Sequence, residues 1–499
     1  MPPRREGLFR EVSILTYPYP HSRFRVTELE LFFYLLTTDI FFLFLCLLGG
    51  LALRALAGKL FAVLPPFHFW EHLGRFLANA WLFLPVPLAF LWQGLYRRLP
   101  FWEELRRLWA GLAGGFVLVF ALVFLAKLGP EFSRLSLLFA FFLSLALLPL
   151  ARYLLKRLLF SFRRFRVPAL IYPAGEQGLR FLEALSAEKT LGYEVVGFLD
   201  DAPLRAGARL GGRRVFGGVR QLGKFVRLRG VDAVFVMVNG RPLNRFADLY
   251  AYLQRHVGEI FLVPDFVGLG LFNAELSFLF SRRVALIHIR NPLGRKTNRI
   301  FKRVFDLCGA AALLILASPL LLLIALAIKL DSRGPVFFTQ ERVGRGGRPF
   351  RIIKFRTMFT DAEERLAACL RDPANLRKWL TYRKLDNDPR VTRVGRLLRR
   401  FSLDELPQLL NVLKGEMSLV GPRPALAEEI EAYYGEKAHF YTAVRPGLTG
   451  LWQVSGRNRL SFAERVKLDL WYVENWSPWL DLVILLRTVP AVLRCEGSY

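Results

Sequence analysis

The chain runs to 499 residues, more than one ordinary domain needs, and 53% of them are hydrophobic, 45 Phe among them, which sets aside a typical soluble protein. Its formal net charge of +29 accompanies that apolarity and points to anionic headgroups and phosphate-bearing substrates; nucleic acid is set aside as a partner, because the cations adjoin apolar segments and no basic tail stands apart from them. Cys46, Cys308, Cys369 and Cys495 are too far apart for a disulfide framework or a zinc site.

The first thirty residues are polar and Arg-rich, without the pattern of a cleavable signal peptide, so the first apolar segment is expected to stay as an anchor. Four apolar stretches, residues 31–53, 77–96, 108–126 and 135–155, each approach the ~20 residues that cross a bilayer. Arg4, Arg5, Arg10, Arg23 and Arg25 precede the first, Arg97, Arg98, Arg106 and Arg107 join the second to the third, and Arg152, Lys156, Arg157, Arg163, Arg164 and Arg166 follow the fourth. The alternate loops are poorer in cations, so the positive-inside rule places the N-terminus and everything beyond the 1–160 bundle on the cytoplasmic side of the inner membrane. Trp70, Trp81, Trp92, Trp102 and Trp109 suit an interfacial belt.

From about 165 short apolar runs are split by turns. Ala169–Ala174, Glu194–Leu199, Ala233–Val238 and Glu259–Val263 read as buried parallel strands with helices between them, a Rossmann-like α/β domain over 165–285. Its first turn, Pro173-Ala174-Gly175-Glu176-Gln177-Gly178, has proline where a dinucleotide turn has its first glycine, and Asp200 and Asp201 follow the second strand. Such a match is weak, and favours a structural, regulatory or dimerising module over a cofactor site. A homodimer through this domain is the expected assembly.

A basic linker is expected over 286–300, and then a fifth apolar stretch, 304–330, with Ser318-Pro319 at its middle. Proline removes a backbone donor and bends a helix. Lys302 and Arg303 before the stretch and Lys329 and Arg333 after it put both ends on the cytoplasmic side, so a re-entrant helix, broken at Ser318 and Pro319, is expected rather than a crossing. Downstream, residues 335–340 and 350–356 read as strands around a glycine-rich turn, 361–380 as a helix, and Val394–Phe401 as a basic amphipathic helix suited to a membrane surface. The apolar tail Leu480–Leu493 is either interfacial or packed on the domain. The fold class is thus a membrane protein: an α-helical four-span bundle, a Rossmann-like α/β middle domain, and an α+β catalytic domain, 301–499, carrying the re-entrant helix.

The chemistry gathers at Ser402-Leu403-Asp404-Glu405, which fits a capping box in which Ser402 accepts from the Glu405 amide. That explains one carboxylate and leaves Asp404 over. A helix dipole together with Arg399 and Arg400 would favour ionised Asp404, and an ionised aspartate can attack phosphorus. Glu405 would hold a divalent cation and the arginines would screen phosphate charge, a phosphoryl-transfer arrangement. Lys354 and Arg356 alternate on a strand, and either bind phosphate or form a solvated face.

Four motifs in order, Lys354-Phe355-Arg356-Thr357-Met358, Ser402-Leu403-Asp404-Glu405-Leu406-Pro407-Gln408, Gly421-Pro422-Arg423-Pro424 and the run from Pro446 to Arg457, closely resemble those of the bacterial sugar transferases, the monotopic polyprenyl-phosphate phosphoglycosyl transferases. The resemblance covers about 297–499, and the preceding spans and α/β domain match the family's large members. It implies that Asp404 forms a covalent phospho-sugar intermediate from a UDP-sugar with release of UMP. Undecaprenyl phosphate then accepts the sugar phosphate, the first membrane step of surface polysaccharide synthesis. It further implies that Glu405 ligates Mg²⁺, that Arg399 and Arg423 hold phosphate oxygens with Lys354 and Arg356 on the nucleotide-sugar, and that Lys302, Arg303 and Asp306 form a polar cluster where the helix meets lipid. Two other readings stand beside it. A nucleotide-sugar dehydratase or epimerase needs an intact glycine motif, and a non-catalytic scaffold for polysaccharide assembly predicts a disrupted Asp404-Glu405 pair. Neither is what the sequence holds.

Overall fold

The computed structural model describes residues 21–493 apart from 62, 129–131, 203–206, 220–221, 223–225, 227–229, 239–248, 251, 255, 265–274, 280–283, 289–295, 373–387 and 457–459. It falls into two compact units, 1–265 and 266–499.

In the first unit, α1 (His21–Leu60), α4 (Phe101–Leu125) and α5 (Arg134–Leu159) are each long and apolar enough to cross a membrane. The span expected over 77–96 is instead a broken one: α2 (Phe69–Ala78) and the segment Ala80–Trp92, ending in α3 (Pro85–Trp92), meet at 75°. The Asn79 side chain caps the first piece by donating to the Arg75 carbonyl at 3.0 Å, and Pro85 and Pro87, which carry no amide hydrogen, restart the second. With their apolar outer faces these helices mark a membrane protein.

Four ionisable groups are buried where the helices meet. Arg152 donates to Asp39 Oδ1 at 2.8 Å and to Glu104 Oε1 at 2.9 Å, and Lys156 donates to Glu104 Oε2 at 2.7 Å. Two positive and two negative charges thus close on one another, and removing any one would strand its partner in a medium without water. Arg98 ties the bundle to the α/β layer. It pairs with Glu28 at 2.6 Å and donates to the Phe165 carbonyl at 3.0 Å.

That layer is a six-stranded sheet of β1 (Val167–Tyr172), β2 (Tyr193–Leu199), β3 (Arg209–Leu210), β4 (Arg213–Phe216), β5 (Ala233–Val238) and β6 (Glu259–Pro264), in the order β3-β4-β2-β1-β5-β6. All pairings are parallel except β3 with β4, the doubly wound order the apolar runs led one to expect. After β1 the chain enters α6 (Glu176–Ala187), where Gly178 lies against Ile171 and Phe198 so closely that a Cβ would crowd them. Asp201, in the place of a ribose-binding acid, is occupied within the fold, accepting from the Tyr172 hydroxyl at 2.7 Å and the Val219 amide at 2.9 Å.

The second unit opens with an antiparallel hairpin, β7 (Glu275–Leu279) and β8 (Val284–His288), so the linker expected from 286 begins inside a strand; 289–295 lie outside the described residues. Next comes α7 (Lys296–Asp331), one helix of 36 residues in which Pro319 is interior. The expected interruption at Ser318-Pro319 is therefore absent: the Ser318 hydroxyl donates to the Ile315 carbonyl at 2.8 Å and the helix continues through the proline. Both ends are gripped by the same unit. Near the start Lys302 donates to the Val420 carbonyl at 3.0 Å and pairs with Asp481 at 2.7 Å, Arg303 donates to the Val412 and Leu413 carbonyls, and Asp306 accepts from the Leu419 amide at 3.0 Å. Near the end Ile324 and Ile328 pack on Phe355 and Leu398, and Asp331 accepts from the Val394 amide at 3.0 Å. Between those anchors Ile315, Leu316, Leu322 and Leu323 are exposed.

The unit's core gathers Leu409, Val412, Met417, Val420, Tyr472, Trp476 and Ile484. Strands β9 (Phe337–Val343) and β10 (Pro349–Phe355) pair antiparallel, as expected. Of the helix expected over 361–380, Ala362–Cys369 is observed and 373–387 lie outside the described residues. In the tail helix (Pro478–Leu493) Leu480 and Ile484 are buried while Val489 and Leu493 are exposed, so its first half belongs to the core. Two short strands, β11 (Ser418–Val420) and β12 (Gly447–Thr449), run parallel. At their ends Gly421, Gly447 and Gly450 let two backbones touch: a Cβ on Gly447 would overlap the Gly421 amide. Gly447→Ala should destabilise the unit by about 3 kcal/mol; thermal unfolding of the purified protein tests this, and an unchanged melt would show that the crossing relaxes.

Candidate active site

Thr392 starts α8 (Arg393–Arg400) by accepting from the Gly395 amide at 2.9 Å, and Gly395 presses so close to the Thr357 carbonyl that any side chain would collide. The helix is thereby fixed on the end of β10. From it Arg399 donates through Nε to Thr357 Oγ1 at 2.9 Å.

The chain then reverses at Ser402, whose φ of 56° lies in the left-handed region. This corrects the capping-box expectation. In that conformation the Ser402 side chain makes no cap bond, and the Glu405 amide donates to the Ser402 carbonyl at 3.3 Å instead. Beyond the reversal a six-residue 3₁₀ turn, Leu403–Gln408, leads into the short helix Leu409–Lys414. No long dipole therefore points at Asp404, and its protonation runs opposite to the expectation. Burial, and then the adjacent Glu405, push the Asp404 carboxyl up to about 6, with Lys354 and Arg399 pulling against them.

Glu405 is held by Lys354, Nζ to Oε1 at 2.7 Å. Asp404, Glu405, Lys354 and Arg399 thus form one cluster of two carboxylates and two cations. Arg423, exposed on the loop after β11, has its guanidinium 5.5 Å from the Trp452 ring. Burial first, and Arg423 in the same direction, lower the pKa of Arg342 on β9, with Glu429 and Glu405 pulling against them.

The remaining expected residues serve the scaffold. Arg356 is buried and donates to the Arg333 carbonyl, to the Ser332 carbonyl at 2.8 Å and to Ser332 Oγ at 2.9 Å, so it ties β10 to the end of α7 rather than facing the carboxylates. Lys302, Arg303 and Asp306 anchor the start of α7, and Ser318 and Pro319 lie on its apolar stretch. Arg457 lies outside the described residues.

Two contributors escape a motif reading. Fully buried Asn411 stitches the carboxylate-bearing segment to β10, accepting from the Ile353 amide at 3.0 Å and donating to the Arg351 carbonyl at 2.8 Å. Its signal is a lone amide within Leu409-Leu410-Asn411-Val412-Leu413. The other is Arg342, one cation in an ordinary-looking strand. Among the described residues no three His, Cys, Asp or Glu side chains converge as a metal cage. The Asp404–Glu405 pair suits an ion such as Mg²⁺, which takes one or two carboxylates and fills its sphere with water and substrate phosphate.

Residues 297–495 match the family model for bacterial sugar transferase, and residues 93–264 match one described as a CoA-binding domain. The chain belongs to the bacterial sugar transferase family and is a transferase. It is 36% identical over 410 residues to the UDP-galactose-lipid carrier transferase of Erwinia amylovora, covering 81% of this chain and 84% of that one. The undecaprenyl-phosphate galactose phosphotransferase of Salmonella typhimurium is 37% identical over 406 residues, with the same two shares. The exopolysaccharide production protein ExoY of Rhizobium meliloti is 52% identical over 199 residues, 40% of this chain but 88% of its own.

Two outcomes are expected. Because the folded-state pKa of Asp404 is raised, the ionised carboxylate costs stability as pH climbs through about 6, and the cost vanishes below the ordinary value of 3.8. Asp404→Asn should melt above the native protein at neutral pH without divalent metal and converge with it near pH ~4; equal melts at neutral pH would refute the buried carboxylate. Arg356→Ala should lower stability by about 2 kcal/mol while leaving the donor KM unchanged, which steady-state kinetics beside a thermal melt will check.

Proposed function

We propose that the chain transfers a hexose-1-phosphate from a UDP-sugar to undecaprenyl phosphate at the cytoplasmic face of the inner membrane, in the first membrane step of surface polysaccharide synthesis. The observation that carries this reading is the Asp404 carboxylate, half-buried beside Glu405 and flanked by Lys354 and Arg399. The names of the relatives supply the donor and acceptor classes.

A carboxyl held at about 6 is mostly ionised at pH ~7, yet more basic than an ordinary aspartate and so a better nucleophile. Asp404 attacks the sugar-bearing phosphorus. The bond to the nucleotide phosphate breaks, UMP leaves, and an aspartyl phospho-sugar remains. A phosphate oxygen of undecaprenyl phosphate then attacks the same phosphorus, returning the carboxylate and yielding undecaprenyl-diphosphate-sugar. Arg399 and Lys354 offset the negative charge that gathers around phosphorus. Mg²⁺, held by Glu405 and donor phosphates, would supply further charge neutralisation.

The lipid-facing element is α7. A helix whose two ends are fastened to one unit offers its apolar middle to a single leaflet, which supports a re-entrant path without a break in hydrogen bonding. Inner-membrane lipids contact that middle, and a homodimer is the proposed assembly.

Purified protein with Mg²⁺, undecaprenyl phosphate and a panel of UDP-sugars should release UMP with at least one sugar, and Asp404→Asn should lose at least ~10³-fold in rate. With donor alone, the native enzyme should retain the sugar phosphate covalently. Equal UMP release by the variant would overturn the nucleophile assignment.

A further inference from the structure

Trp452, on the short helix Leu451–Val454 that follows β12, is almost wholly buried, and its indole Nε1 is buried without a hydrogen-bond partner. Two guanidiniums lie on this one ring: Cζ of Arg423 at 5.5 Å and Cζ of Arg465 at 5.0 Å from its centroid. Arg465 comes from the helix Phe462–Glu474, far along the chain from Arg423. Arg342 arrives from β9, where it donates to Gln340 Oε1 at 2.7 Å and keeps its Nε buried without a partner. The charge of Arg423 acts unfavourably on both Arg342 and Arg465.

Among the described residues one carboxylate pairs with these three cations, and it pairs with Arg342. Glu429 approaches Arg342 only to 3.7 Å, with the same oxygen accepting from the Leu426 amide at 2.9 Å. Asp469 lies near Arg423, but burial pushes its carboxyl up to about 7, leaving it only partly charged at neutral pH. Glu405 is bonded to Lys354. Neither Arg423 nor Arg465 forms an ion pair within 4.0 Å among the described residues. Two guanidiniums on one aromatic ring with no ion pair of their own form a receptor for an anion, and guanidinium forks match phosphate oxygens.

We propose that Arg423 and Arg465 on Trp452, with Arg342 from the strand end where the Val343 amide donates to the Ala425 carbonyl at 3.1 Å, bind the nucleotide phosphate of the donor, so that Arg342 and Arg465 act with Arg423 in holding the UMP end. The assignment rests on the reading of the chain as a UDP-sugar transferase. It also fits the direction of the reaction. As Asp404 bonds to the sugar-bearing phosphorus, the bridging oxygen leaves with the nucleotide phosphate, and UMP carries away two negative charges. Cations placed there stabilise the leaving group and need no proton.

The test uses the full chain in nanodiscs, with UMP and uridine as probes in equilibrium binding. Arg465→Gln and Arg342→Gln should each weaken UMP about tenfold and leave uridine unchanged, while Arg465→Lys should recover part of the loss. Equal UMP affinity in native and variant proteins, or parallel loss of uridine, would overturn the assignment, as would a rise in KM for undecaprenyl phosphate with UMP binding intact. If a glutamine variant fails to fold, the folded Arg465→Lys and Arg342→Lys variants decide: UMP affinity reduced with uridine unchanged upholds the site, and unaltered UMP affinity removes it. A native protein that binds UMP but hands no sugar phosphate to a lipid would instead defeat the transferase reading and spare the anion site.

Discussion

The end of strand β10 is the joint on which the transferase unit depends. Four successive residues leave it for different partners: Lys354 for Glu405, Phe355 for the apolar cluster under α7, Arg356 for the carbonyls of Ser332 and Arg333 just past that helix, and Thr357 for Arg399. A nucleophile must be held to within a fraction of an ångström to gain from proximity. Here one stretch of backbone sets Glu405, Arg399 and the apolar helix α7 in fixed relation to Asp404. Asn411 locks the same strand from the other side.

Energetically the site works against itself, as sites that do chemistry do. Two carboxylates side by side and partly buried are a poor arrangement for stability, and Asp404 registers that in its raised pKa. The flanking cations relieve the repulsion only in part, and the remainder favours protonation of Asp404. The glycines at the β11–β12 crossing contribute by geometry alone, bringing Arg423 and Trp452 together across chain segments that side chains would hold apart.

Much of this was legible in the residues. Alternating and continuous apolar runs marked the strands, and Asp404, Glu405, Lys354 and Arg399 do share one site. What failed did so for local reasons. Lys354 and Arg356, two apart, should share a strand face, but the strand ends at Phe355 and the second side chain turns away. Ser402 has the spelling of a cap, yet a tight reversal after Arg400 sets its φ before any capping bond can form. Charge neighbours of Asp404 could be counted from sequence, whereas burial, the larger effect, belongs to the folded chain. Proline at 319 spelled a break, but one missing amide in 36 residues was absorbed by the helix.

The ion network in the N-terminal bundle carries a consequence for how the protein is made. Asp39 meets Arg152 from 113 residues further along the chain. During synthesis the first helix therefore reaches the bilayer with its acid unmatched until α5 is translated. Insertion of the bundle is complete only when its last helix arrives, and a chain truncated before Arg152 leaves an anchor that the membrane's quality-control proteases can recognise as orphaned.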